Sequence, residues 1–142
     1  AHPEKLVDKY IKAGANILTI HYEAIKDKNV LVKVFKKIKK AGVMVGLAIE
    51  LDTDISVIEP YLRYLDLVLI MSVKTGKYGR EFNKLALNKI KHVRSLSEDI
   101  LIEVDGGINY DTISKVSNAD IKVVGSYITN SNNYEEQIKT LK

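Results

Sequence analysis

The chain contains no cysteine, only two prolines, and no apolar run long enough to span a bilayer. Each shortage excludes something. Without cysteine there is no disulfide framework, and a reducing, cytoplasmic setting is the expectation. The longest apolar stretches, such as Leu67 to Val73, fall far short of the roughly 20 residues that a membrane helix needs. The opening residues Ala1 to Tyr10 place charges within a helical pattern and lack the apolar core of a signal peptide. No linker or low-complexity segment interrupts the sequence, so residues 1–142 are expected to form a single domain.

What is present is the composition of a globular protein, 46% hydrophobic and 28% charged. The net charge of +4, from 22 basic and 18 acidic residues, suits an anionic ligand. It is too small and too dispersed to call for nucleic acid. The densest basic run, Lys33, Lys36, Lys37, Lys39 and Lys40, interleaves with Val30, Leu31, Val34, Phe35 and Ile38 at helical spacing. Those lysines read as the solvated face of a core-facing helix.

Five short apolar runs stand out at 16–20, 43–49, 67–73, 100–104 and 121–124. They are mostly continuous rather than alternating, the pattern of parallel strands covered on both faces. Amphipathic stretches at 3–13, 28–41, 56–64, 83–97, 110–116 and 133–141 separate or flank them and predict helices. The resulting fold class is α/β, with five parallel strands alternating with helices. Gly14 and Gly42 stand where a helix ends before a strand, a position that favours a left-handed residue. Asn118 occupies the equivalent place before the last run, which predicts the same device there.

The functional signal lies at the C-terminal end of each run. In order, the runs exit into His21-Tyr22-Glu23, Glu50, Ser72 with a glycine-bearing loop to Gly79, Asp105-Gly106-Gly107, and Gly125-Ser126. In parallel α/β folds the strand C-termini converge on one face, where ligands bind. Asp-Gly is also a turn former in its own right. The second glycine-bearing exit, at Gly125-Ser126, adds exposed backbone N–H groups suited to an anion, and phosphate sites in the last two βα loops recur in barrels. His21 has two readings, a hydrogen-bonded structural group or a substrate contact. Met71 lies near enough to a strand end to line a pocket, and Glu103 alternates with Asp105 along one strand face. His2 and His92 read as surface residues, and Met44 as a core filler.

At these residues the chain resembles the ribulose-phosphate 3-epimerase family. The segments that carry the resemblance are Thr19-Ile20-His21-Tyr22-Glu23-Ala24, Val45-Gly46-Leu47, Leu67 to Val73, Ile102 to Asn109, and Val124-Gly125-Ser126. The Met71-Ser72-Val73 and Val104-Asp105-Gly106-Gly107 portions are the specific ones. The resemblance implies the C-terminal part of a (β/α)8 TIM barrel and an isomerase that interconverts ribulose 5-phosphate and xylulose 5-phosphate. It implies a divalent metal, commonly zinc, and two aspartates on opposite faces of the sugar. Asp105 matches the aspartate that is both catalytic and a metal ligand. Gly106, Gly107, Gly125 and Ser126 match the phosphate-binding backbone, and Gly76, Lys77, Tyr78 and Gly79 the loop that folds over the substrate. His21, Glu50, Met71 and Ser72 are further pocket candidates. The partner implied is a small sugar phosphate, with homo-oligomers common in the family.

Several positions depart from the family pattern. Thr75 stands for a proline, Tyr78 for a glycine and Arg80 for a glutamine, while Glu50-Leu51 replaces an Asn-Pro pair. Glu50 thus brings an extra carboxylate toward the pocket mouth. These changes leave open a related substrate such as allulose 6-phosphate, or a sugar-phosphate-binding paralogue without turnover. A complete barrel of this kind has eight strands and at least about 200 residues. The family's serine, His-x-Asp pair and further histidine would precede Ala1. With Asp105 as the single assigned ligand, the expectation is an inactive chain with no tight zinc binding.

Overall fold

The computed structural model describes residues 2–74, 76 and 81–142. Its centre is a five-stranded, wholly parallel sheet in the order β1 (Ile17–His21), β2 (Met44–Ile49), β3 (Leu67–Met71), β4 (Leu101–Asp105) and β5 (Ile121–Val123). Between the strands run α2 (Lys28–Lys40), a 3-10 helix at Ile55–Tyr64, α3 (Leu85–Leu96), and α4 (Tyr110–Ile113); α1 (Val7–Lys12) precedes β1, and α5 (Ser126–Thr129) and α6 (Tyr134–Lys139) follow β5. Strand order equals chain order, as repeated right-handed βα units require. Among the described residues, no helix is long and apolar enough to cross a membrane.

The two faces of the sheet differ. Because side chains alternate along a strand, Val45, Leu47, Ile49, Val68, Ile70, Ile102 and Val104 share one face, and all are buried in a single core with Phe35, Ile38, Ile58 and Ile90 from the helices. The opposite face carries His21, Leu69, Glu103 and Asp105, all half-buried, and Ile17 and Ile121, which are exposed, alongside the buried Ala48, Leu67 and Met71. Helices cover one face, and the apolar residues of the other are buried chiefly at its central strands. The second face is the concave, inner one of a barrel layout, and it holds the polar strand-end residues.

Local chemistry accounts for the helix boundaries. Asp27 caps α2 by accepting the Asn29 N–H at 2.9 Å. The lysines of α2 are exposed, opposite buried Leu31, Val34, Phe35 and Ile38. The stretch expected to be α-helical at 56–64 is instead 3-10, with Pro60 inside it. Proline has no N–H to give, and its ring crowds the carbonyl four residues back, so an α-helical ladder is disfavoured there. Gly14 and Gly42 adopt the positive φ expected of them, 87° and 74°, but Asn118 does not, because no non-glycine described residue has a positive φ. That joint ends in a 3-10 turn at Ser114–Val116 and closes with the Ala119 N–H on the Val116 carbonyl, without a left-handed residue.

A different device recurs at two joints. Asp66, just before β3, donates its N–H to the Val45 carbonyl and accepts the Val45 N–H on its carboxylate at 2.8 Å. Asp120, just before β5, does the same on Ile102. Each carboxylate also meets a cation from a preceding helix, Lys39 at 3.3 Å and Arg94 at 2.6 Å. Partial burial pushes the Asp120 carboxyl up, but the Ile102 N–H and Arg94 outweigh it and hold it below the usual value. These aspartates lock strand register at the end of the sheet opposite the site.

Candidate active site

Register brings the strand-end residues into rows. His21 is level with Ala48, which pairs with Leu69 and through it with Glu103. One residue further along, Met71 pairs with Asp105, and Asp105 with Val123. Glu50 comes directly after Ile49, the partner of Ile70, and so lies level with Met71. His21, Glu50, Met71 and Asp105 therefore reach the same rim, where the inner faces of four consecutive strands meet.

Asp105 sits on a turn that Ser72 holds. The Ser72 side chain is fully buried, and its hydroxyl lies 2.9 Å from the Asp105 carbonyl and 2.5 Å from the Gly106 carbonyl. Its backbone N–H donates to the Asp105 carbonyl as well, at 2.8 Å. Ser72 thus positions the turn rather than opening onto the pocket. Gly106 has φ +117°, and a Cβ there would stand 2.5 Å from Val73 Cγ2 and 3.1 Å from Ser72 Oγ. Only glycine lets the chain pass so close to β3 in that conformation. Downstream, Asn109 and Thr112 form a capping box that starts α4, and Thr112 also donates to the Gly107 carbonyl.

The two inner carboxylates of β4 are electrostatically coupled. Burial raises Asp105 above the ordinary carboxyl value, against the lowering effect of the Gly106 N–H. Burial also raises Glu103, and the charge of Asp105 raises it further. A folded-state value above the unfolded one means that the native state holds the proton more tightly, so ionisation of Glu103 costs stability as pH rises. Glu103→Gln is therefore expected to melt at a higher temperature than the parent at pH 7. The advantage should shrink as pH falls toward the unfolded carboxyl value of about 4.3, which paired thermal melts at the two pH values check.

His21 is not solitary. Its Nδ1 stands 3.5 Å from Glu50 Oε1 and 3.7 Å from Glu23 Oε2. Glu23 is tied down by its other oxygen, which accepts the Glu50 N–H at 3.0 Å and the Thr53 hydroxyl at 2.6 Å. From α3, the buried Lys89 donates to the carbonyls of Glu50 and Thr53 at 2.7 and 2.5 Å. Burial lowers the Lys89 value and the surrounding carboxylates, Glu23 first, oppose that. The sequence by itself points to His21 and Glu50 but assigns Glu23 and Lys89 no role. Their partners lie 27 to 39 residues away, beyond any local periodicity.

Of the other candidates, Met71 is buried on the inner face beside Asp105. Gly125 and Ser126 leave β5 next to the Asp105 turn, with Gly125 capping the short α5, an element that the sequence periodicity does not predict. Gly76 is exposed at φ +98°. Lys77, Tyr78 and Gly79, with Thr75 and Arg80, lie outside the described residues. His2 is exposed beside Glu4, and His92 meets Glu59 at 3.3 Å.

The profile of the ribulose-phosphate 3 epimerase family matches residues 1–129. The chain belongs to that family. It is 40% identical to the ribulose-phosphate 3-epimerase of Buchnera aphidicola subsp. Baizongia pistaciae over 98% of its own length and 62% of that protein's. Against the Bacillus subtilis ribulose-phosphate 3-epimerase it is 35% identical, over 99% of this chain and 66% of the relative. The chain thus spans a little under two-thirds of these curated relatives. A crystal structure of 3-hexulose-6-phosphate synthase superposes with a TM-score of 0.73 at 22% identity, covering 97% of this chain and 66% of that one. At that identity the likeness concerns the fold, a TIM-type barrel of which this family member contributes five strands.

Proposed function

We propose that this chain supplies the phosphate grip and one proton-transfer carboxylate of a sugar-phosphate epimerase acting on ribulose 5-phosphate and xylulose 5-phosphate. The observation that carries the reading is Asp105: a carboxylate at a strand end on the inner face, raised by burial and held by Ser72 beside two consecutive glycines. A proton next to a ketone is weakly acidic, and a raised carboxylate is a better base for it near neutral pH. Backbone N–H groups at Gly106, Gly107, Gly125 and Ser126 would take the phosphate. The reading includes a cytoplasmic setting and assembly into oligomers.

The family's divalent metal, commonly zinc, supplies electrostatic stabilisation of the negative charge that develops on the sugar oxygens. A catalytic zinc takes about three protein ligands. Among the described residues no set of three donors includes Asp105, so this chain's residues do not complete a shell there. That same observation favours a second reading, a sugar-phosphate binder without turnover. Deuterium uptake from heavy water into ribulose 5-phosphate, followed by NMR, separates the two. In a protein that joins this chain to the remaining strands and ligands of its barrel, uptake at the carbon next to the ketone is the expected result, and binding with no uptake there would replace the epimerase with the binder.

A further inference from the structure

We infer that His21, Glu23 and Glu50 form a divalent-cation site of this chain's own, apart from Asp105. Each residue offers one donor atom, and the three donors lie within 4.8 Å of one another. The inference does not rest on the epimerase reading, since it concerns only which atoms the exits of β1 and β2 bring together.

The spacing suits coordination. At 3.5 and 3.7 Å, the His21 Nδ1 contacts to Glu50 and Glu23 are longer than the roughly 2.7–3.2 Å of an N–H···O hydrogen bond. Donors bound at about 2.0–2.2 Å to a tetrahedral ion stand about 3.3–3.6 Å from one another. The two imidazole-to-carboxylate distances are therefore close to coordination spacing.

The surroundings hold the donors in place. Glu23 Oε1 is occupied by the Glu50 N–H and the Thr53 hydroxyl, which leaves Oε2 as the oxygen nearer His21. Lys89, 8% exposed, grips the carbonyls of Glu50 and Thr53 from the other side. The corner that carries Glu50 is thus fixed through its N–H and its C=O, the kind of outer support that orients metal ligands. The ammonium of Lys89 offsets part of the carboxylate charge and so moderates affinity without filling a ligand position.

One imidazole nitrogen with two carboxylate oxygens suits a zinc-type ion better than magnesium, which keeps to oxygen ligands and water. Three protein donors leave a fourth position for water or a substrate oxygen. Glu50 and Asp105 are level but two strands apart, roughly 10 Å at ordinary strand spacing, so a single ion does not bridge them directly. The carboxylate of Glu50 is what completes the trio.

The test is a cobalt(II) titration of the metal-free chain, read by the visible d–d bands of a low-symmetry, four-coordinate ion. Wild type and Asp105→Asn are each expected to bind one equivalent, whereas His21→Gln and Glu50→Gln should bind at least about tenfold more weakly. Both substituted side chains are partly exposed, and far-UV circular dichroism checks that the variants remain folded. Zinc-induced shifts of the His21 ring resonances in the wild-type chain provide a readout that needs no variant. Absence of saturable cobalt uptake and of those shifts would overturn the inference, as would uptake that survives His21→Gln or is lost in Asp105→Asn. None of these outcomes bears on proton exchange at Asp105, so the epimerase reading stands or falls separately.

Discussion

In a protein that joins this chain to the rest of its barrel, Asp105→Asn is expected to slow exchange of the substrate's α-proton with solvent by about 10²- to 10⁴-fold, the usual contribution of a positioned general base. The substitution is nearly isosteric: the Ser72 contacts that hold the turn run to the backbone carbonyls of Asp105 and Gly106, and the Gly106 N–H that meets the Asp105 carboxylate can be accepted by an amide oxygen as well. The turn should therefore persist, and sugar-phosphate binding, which depends on the glycine N–H groups, should stay close to the parent value. What the amide cannot do is accept and return a proton. The measurement pairs deuterium incorporation by NMR with a binding titration on the same samples. Full exchange in the variant would move the proton-transfer role to another residue, while joint loss of exchange and binding would mean that Asp105 serves the turn and not the chemistry.

Much of the fold was legible because parallel α/β units declare themselves locally. Each apolar run matches its strand, containing it at three and preceding it by one residue at Ile17–His21 and Leu101–Asp105. The glycines before β1 and β2 announced two joints correctly, since positive φ is a property of one residue and its neighbours. Where the outcome depended on contacts across the sheet, local signals were silent. Asn118 had the right residue type for a left-handed joint, but Asp120 clamps the next strand through Ile102 and the chain closes without one. Pro60 was visible, yet the amphipathic spacing around it suggested an α-helix that proline does not support. In the site, strand-end position was enough to nominate Asp105, His21 and Glu50. It was not enough to show that the Ser72 hydroxyl is spent on the β4 turn, or that Glu23 and Lys89 fix the corner at Glu50 from opposite sides.

Gly106→Ala is expected to destabilise the chain by about 2–5 kcal/mol, the sum of two separate penalties. The first is conformational. At φ +117° the backbone occupies a region that L side chains rarely adopt, at a cost of about 1–3 kcal/mol. The second is steric: the new Cβ would lie 2.5 and 2.9 Å from the two methyls of Val73 and 3.1 Å from Ser72 Oγ. Val73 is β-branched with stiff χ1, so it cannot swing both methyls away, and displacing Ser72 would loosen the hydroxyl that holds Asp105. Gly42→Ala isolates the first penalty, because Gly42 also has a positive φ, +74°, but nothing lies within 4 Å of its added Cβ. Its expected cost is only about 1–2 kcal/mol. Urea denaturation of the two variants against the parent measures the difference. A Gly106 variant no less stable than the Gly42 one would show that the chain after β3 yields at Val73, and that the close approach of the Asp105 turn is not what requires glycine there.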